Sequence, residues 1–308
     1  MPMVYSTFER IKEASVKIWK NHMALTPGLP RIVEFSIDNQ LITICAFDNN
    51  EAEQSLGKKT VNIIASGPSI ADLTFTELRH APTIFVNGSI SLTEQYCFTD
   101  IVGYVISDAN FINHNPEILR KHYSGQPLYA TLAVFEALAA TQPDIISTYY
   151  DAMRVLYPVD RPWGVKANQF LFRKLTFKRT ILNKNKALAY FSTDPNFVID
   201  GSHKPMAIGV SLNITCGFVE AGTVAYVATQ LAFSRHASII NLYGIDLLNS
   251  HQPRFYESDH NSMPSKLAQV MTDRIVPSFN LLIHVYKQHG VAVINHSPIS
   301  KALFNGLD

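Results

Sequence analysis

Six short apolar runs rich in β-branched residues recur along the chain, several with helical stretches between them: TVNIIA from Thr60, PTIFVN from Pro82, DIVGYVIS from Asp100, PLYATLAV from Pro127, SIINLYG from Ser238 and VAVINHS from Val291. Runs of this kind suit strands buried on both faces of a parallel sheet. Their alternation with helical stretches marks an α/β fold. The clearest helix spans Glu220 to His236, where Val224, Val227, Ala228, Leu231 and Ala232 share one face. Met263 to Gln288 also reads as helix, with a break near Val276 caused by Pro277 and a stop at Gly290.

Two regions depart from this rhythm. Thr7 to Asn21 reads as a helix, and RIVEFSID and LITICAFD read as a hairpin around a polar turn, so residues 1–57 form a small N-terminal element ahead of the domain at 58–308. From about 141 to 205 the alternation is lost, and this stretch reads as an insertion, a largely helical lid.

Composition excludes several classes. With 308 residues, 47% hydrophobic and 17% charged, the chain can bury a large core and is not disordered. A net charge of +1 argues against a general polyanion binder. Cys45, Cys97 and Cys216 are odd in number and far apart, with neither a disulfide framework nor CxxC metal spacing, which favours a reducing compartment. The first residues lack the apolar core of a signal peptide, and no run reaches the ~18 apolar residues of a membrane-spanning helix.

Motifs narrow the chemistry further. None of the 14 glycines stands in a GxGxxG, and there is no phosphate loop after a strand, no GxSxG, no HExxH and no Asp-x-Asp to hold a divalent ion. What remains is Ser66-Gly67-Pro68-Ser69 directly after the first buried strand. It is either a ligand-approach loop or an ordinary strand-to-helix turn with Ser69 as N-cap. Asn87-Gly88-Ser89 and Ser107-Asp108-Ala109-Asn110 follow two further strands. Polar groups at three successive strand ends favour a site, because the carboxyl ends of a parallel sheet converge on one crevice.

Taken in order, IIASGPSI, IFVNGSI, YVISDANF, NITCGFVEAGTVAYVATQLAF, NLYGIDLLNSHQPRFYE and NSMPSKL resemble the lipopolysaccharide inner-core Kdo transferase family. More distantly, SGPS, Asn87 and the Tyr243-Gly244-Ile245-Asp246 block are similar to the single-domain bacterial sialyltransferases. The resemblance runs from about Thr60 to Leu267. It implies a Rossmann-like, mostly parallel sheet with helices on both faces, and a metal-independent glycosyltransferase. No cofactor is implied beyond the CMP-sugar donor, which is a co-substrate. By the same resemblance Ser66, Gly67, Ser69 and Asn87 line the donor phosphate and sugar. Gly222 and Thr223 present a helix N-terminus to an anion, and Gly244 and Asp246 lie beside the nucleoside. Arg254 or Tyr256 either stabilises the departing phosphate or ties down a loop. The base is Asp108 or His260.

Charge alone adds an acceptor side. Arg161 to Thr193 holds no Asp or Glu but eight Lys and Arg, among them Lys174, Lys178 and Arg179, interleaved with Trp163, Phe170, Phe172 and Phe177. Basic and apolar together, this composition suits an anionic membrane surface or a phosphorylated, lipid-linked oligosaccharide acceptor. No nucleic-acid-binding motif accompanies it. The expected location is cytoplasmic, peripheral on the inner membrane. The leading expectation is transfer of Kdo or a related 2-keto sugar acid to a lipopolysaccharide core. A CMP-sialic acid sialyltransferase, a pterin pyrophosphokinase-like phosphotransferase and a nucleotide-binding interaction protein are the alternatives.

Overall fold

A computed structural model describes residues 16–19, 29–160, 187–248, 252–257 and 270–304. The first strands among the described residues are β1 (Val16–Trp19), β2 (Ile32–Ile37) and β3 (Gln40–Ala46), each antiparallel to the one before. Part of the helix expected over Thr7 to Asn21 is thus a strand, because the free edge of β2 offers a backbone ladder that local propensity cannot match. Asp38 and Asn39 join β2 to β3 with φ of 48° and 63°. Two left-handed residues in succession make the primed turn that matches strand twist.

The expected buried strands follow as β4 (Thr60–Ile64), β5 (Thr83–Val86), β6 (Ile101–Ile106) and β7 (Leu128–Thr131). Between the last two lie α1 (Ala109–His114) and α2 (Pro116–His122), and α3 (Leu132–Thr141) and α4 (Pro143–Tyr149) come after. The PLYATLAV run is therefore split, its Leu-Ala-Val opening α3. The region read as a lid contributes β8 (Met153–Leu156) to the main sheet and β9 (Phe197–Asp200) to an outer hairpin with β10 (Ile208–Ser211). This corrects the boundary at 141, because an insertion can begin only after β8. Residues 161–186 lie outside the described residues. Further along, the described residues form α5 (Val224–Ser234), β11 (Ile239–Tyr243), α6 (Val276–Gln288) and β12 (Ala292–Asn295). The helix break expected near Val276 is the start of α6 after a π-turn at Met271–Ile275, and Gly290 follows α6 at φ 75°.

Among the described residues ten strands form one sheet, ordered β1-β2-β3-β8-β7-β6-β5-β4-β11-β12, and from β3 to β12 every neighbour is parallel. The N-terminal hairpin belongs to this sheet through β3 and β8. Alternate residues of β4 and β5 serve two cores. Val61, Ile63, Ile84 and Val86 pack with α5 and α6, while Ile64 and Phe85 pack with residues of α1 to α4. That is the physical reason their sequences are continuously apolar.

Helix α5 is buried along nearly its whole length, so its polar residues need internal partners. Gln230 finds four. Its Oε1 accepts from Ser211 N–H at 3.0 Å and Val219 N–H at 3.1 Å, and its Nε2 donates to Val219 O at 2.9 Å and Tyr226 O at 3.2 Å. Gln230→Leu is expected to lower stability by about 3 kcal/mol, because it strands buried backbone groups at ~1–3 kcal/mol each. A denaturant titration measures this, and a loss under ~1 kcal/mol would contradict the role assigned to Gln230.

From β4 the chain moves through β5, β6, β7 and β8 to one side, then returns to place β11 and β12 on the other. The direction of winding reverses between β4 and β11. In open α/β sheets ligands bind in the crevice outside the carboxyl ends at such a reversal.

Candidate functional site

The two loops leaving this reversal point are fastened to each other. Ala65 N–H donates to Tyr243 O at 2.8 Å and Gly67 N–H to Gly244 O at 3.0 Å, carrying the pairing of β4 and β11 past both strand ends. Asp246 then closes the junction. Its Oδ2 accepts from Ser69 N–H at 2.6 Å and its Oδ1 from the Ser69 hydroxyl at 2.8 Å, with both side chains buried. A Cβ on Gly67 would overlap the Asp246 carboxylate and Gly244 O, so this position admits only glycine. Ser69 is thus not a helix cap, and with Gly67 it builds the loop, its polar groups turned inward onto Asp246.

The next strand end is similarly constrained. After β5, Asn87 adopts φ 49°, and its carbonyl accepts from Tyr104 O–H at 2.8 Å. Ser89 Oγ accepts from Val86 N–H at 2.9 Å and donates to Ile64 O at 2.6 Å, tying this turn to the end of β4. The Tyr256 ring lies against Gly88, where any Cβ would collide with it. Phe255 N–H donates to Ser66 O at 3.4 Å, which sets Tyr256 beside that loop. Burial pushes the Tyr256 phenol above its ordinary range, against the opposing pull of Arg254, so it is a neutral O–H donor at physiological pH. Asn87 Oδ1 is buried and takes no hydrogen bond among the described residues. A buried polar atom left open in this crevice calls for a ligand or water.

Arg254 differs from Tyr256. Its Nη1 pairs with Glu257 Oε1 at 2.7 Å and its backbone N–H donates to Glu257 Oε2 at 3.0 Å, an arrangement that partly neutralises it and shapes the loop. Asp108, at the end of β6, caps α1 by accepting from Asn110 N–H at 3.0 Å and is exposed on the same edge of the sheet. Gly222, at φ 86°, precedes Thr223, the N-cap of α5, whose side chain makes no capping bond. Helix α5 leads into the amino end of β11, which brings its N-terminus back to the carboxyl edge. Arg274 holds that turn, donating to Glu220 O at 2.9 Å while pairing with Asp160 at 3.2 Å. His260, Lys174, Lys178 and Arg179 lie outside the described residues.

Sequence reasoning missed the segment after β12. His296 stacks on Tyr243 with centroids 4.7 Å apart and planes 10° apart. Ile245 N–H donates to Ser297 Oγ and Leu247 N–H to Ser300 Oγ, both at 2.7 Å. The signal was available, since His-Ser-Pro-Ile-Ser is a polar cluster following a strand like the others.

With this geometry in place, comparison with known proteins decides the family. The family model of 3-deoxy-D-manno-octulosonic acid transferase WaaZ matches residues 47–298. The chain belongs to this Kdo transferase family. It is a glycosyltransferase of that kind, and the match takes in the strand ends from β4 to β12. A Salmonella typhimurium protein named "Probable 3-deoxy-manno-octulosonic acid transferase" is 25% identical over 236 residues, 74% of this chain and 80% of that protein. An Escherichia coli K12 protein of the same name is 24% identical over 243 residues, 76% of this chain and 78% of that protein. Among solved structures, the sialyltransferase CstII from Campylobacter jejuni in complex with cytidine-5'-monophosphate aligns with TM-score 0.38 and 12% identity over 81% of this chain and 85% of that one. The same enzyme with CMP-3FNeuAc gives 0.39 and 11% over 81% and 86%.

Proposed function

We propose that this Kdo transferase family member moves Kdo, or a related 2-keto sugar acid, from a CMP-activated donor to a lipopolysaccharide core acceptor without a metal ion. The observation that carries the proposal is the crevice between β4 and β11. There Asp246 locks the Ser66–Ser69 loop, the neutral Tyr256 phenol belongs to a ring lying against Gly88, and the buried Asn87 Oδ1 takes no hydrogen bond among the described residues. In the reaction the acceptor hydroxyl oxygen bonds to the anomeric carbon, the bond from that carbon to the phosphate oxygen breaks, and the hydroxyl proton passes to a base. CMP leaves with the bonding electrons. Charge then grows on one phosphate, which hydrogen-bond donors stabilise without the cation that a diphosphate leaving group usually needs.

Residues divide into two roles. Gly67, Ser69, Gly244 and Asp246 set the shape of the crevice. Ser66, Asn87, Tyr256 and the Gly222–Thr223 turn meet the donor, Arg254 supports the Tyr256 loop, and Asp108 or His260 supplies the base. The competing phosphotransferase reading requires ATP with magnesium. Saturation-transfer NMR separates the two, with CMP giving saturation in EDTA as the expected result. ATP and magnesium giving it in place of CMP would overturn the proposal. Turnover of CMP-Kdo against CMP-sialic acid then distinguishes the two sugar donors.

The acceptor side rests on the basic segment around Lys174, Lys178 and Arg179, which we assign to an anionic membrane surface and the phosphorylated lipid acceptor held there. No helix among the described residues is long and apolar enough to cross a membrane. Each basic side chain near an anionic surface contributes ~1 kcal/mol, screened by salt. Changing Lys174, Lys178 and Arg179 together to Glu is expected to abolish co-sedimentation with anionic liposomes at low salt. Sedimentation unchanged by the triple substitution, or by high salt in the unaltered protein, would contradict the assignment.

A further inference from the structure

The ladder between β11 and β12 ends at Leu242 and Asn295, with a last backbone bond from His296 N–H to Leu242 O at 2.8 Å. Beyond it Gly244 turns at φ 70°, and the N–H groups of Ile245 and Leu247 lose any strand partner in β12. Serine side chains replace that partner. Ser297 and Ser300 are 1% and 0% exposed, and each hydroxyl oxygen accepts one of these two N–H groups at 2.7 Å. The two anchored residues flank Asp246. Its carboxylate is held from both sides toward Ser69, where it takes two hydrogen bonds.

We propose that Ser297 and Ser300 are positioning residues for the donor, acting through Ile245 and Leu247 to aim Asp246 at the Ser66–Ser69 loop. The proposal rests on the reading of that loop as the donor site. It adds a region, the segment after β12, that touches none of the residues assigned to the phosphate. Its own fixation is independent of the loop. His296 stacks on Tyr243 and shares a 2.9 Å hydrogen bond with Asn241 Oδ1, Ser297 N–H donates to Asn295 Oδ1 at 3.0 Å, and Ser300 N–H donates to Ser297 O at 3.3 Å. A rigid turn therefore presents the two hydroxyls. Alanine at either position removes one acceptor and strands a buried N–H, whereas the donor-facing groups stay chemically intact.

The test uses the full-length protein and its Ser297→Ala, Ser300→Ala and double variants. CMP affinity is measured by calorimetry, steady-state kinetics are taken with donor and acceptor varied separately, and amide hydrogen exchange is followed at Ser69, Ile245 and Leu247. Each single variant is expected to bind CMP about tenfold more weakly, with donor KM raised in proportion and with kcat and acceptor KM within about twofold of the unaltered protein. Exchange at Ser69, which touches neither serine, should accelerate along with that at Ile245 or Leu247. General destabilisation would not produce this selective pattern. If the double variant does not fold, the singles, each keeping one anchor, give the answer. Single variants that bind CMP within twofold of the unaltered protein and leave Ser69 exchange unchanged would overturn the proposal. If the unaltered protein itself fails to bind CMP, the donor reading falls instead, and Ser69 exchange still decides whether the serines position its loop.

Discussion

Asp246→Ala is expected to lower kcat/KM for the donor by about 10² to 10³. Asp246 holds Ser69 by two charge-assisted hydrogen bonds in a buried setting, each of a kind worth ~1.5–3 kcal/mol. Without it the Ser69 N–H and hydroxyl are left buried, and the loop from Ser66 to Ser69 loses its cross-link to β11. Asp246→Asn keeps an acceptor for the N–H, and the Ser69 hydroxyl can rotate to accept from the new amide, so a loss about tenfold smaller is expected. Donor kinetics together with a melting curve for each variant check this ordering. Equal losses for Asn and Ala would mean that the carboxylate's charge, rather than its geometry, is what matters. No loss for Ala would remove the loop from donor binding altogether.

The second large effect concerns the proton. Of Asp108→Ala and His260→Ala, the one that removes the base is expected to lower kcat by about 10²-fold or more with CMP affinity retained. Asp108 stands at the end of β6, with one carboxylate oxygen engaged in capping α1. The pH profile gives an independent reading. Activity is followed against pH for the unaltered protein and both variants, and the variant that has lost the base is expected to lose the acid limb of its kcat/KM profile. Near-normal turnover in both variants, once each is shown to be folded, would eliminate both residues from the chemistry.

The parts of this architecture that were legible in the sequence share one physical property. Strands β4, β5, β6 and β11 are covered on both faces, so burial writes itself into each as a nearly unbroken apolar run. β8 was not legible, because it is four residues long and interrupted by Arg154, which lies in the sheet yet reaches Glu51 at 3.6 Å and Glu53 at 3.3 Å. β1 was misread because its pairing depends on the edge of β2, a partner that no local pattern reveals. The same division holds at the site. Polar clusters after strands pointed to Ser66–Ser69, Asn87 and Asp108 because a parallel sheet gathers its carboxyl ends. The bond between Ser69 and Asp246 crosses 177 positions, so it becomes visible only when β4 and β11 are seen side by side. That is why Ser69 looked like a helix cap or a ligand in sequence, and is a structural clasp in the fold.

Metal-independent transfer from a CMP-activated 2-keto sugar acid, as proposed, is tested directly by a single assay. The purified protein, incubated in EDTA with CMP-Kdo and lipopolysaccharide core, should release CMP and add the mass of one Kdo residue to the core. Omitting the core should sharply reduce CMP release, and Asp246→Ala should suppress transfer. Transfer that stops in EDTA and returns with magnesium, or a core whose mass never changes while the unaltered protein is folded, would contradict the account.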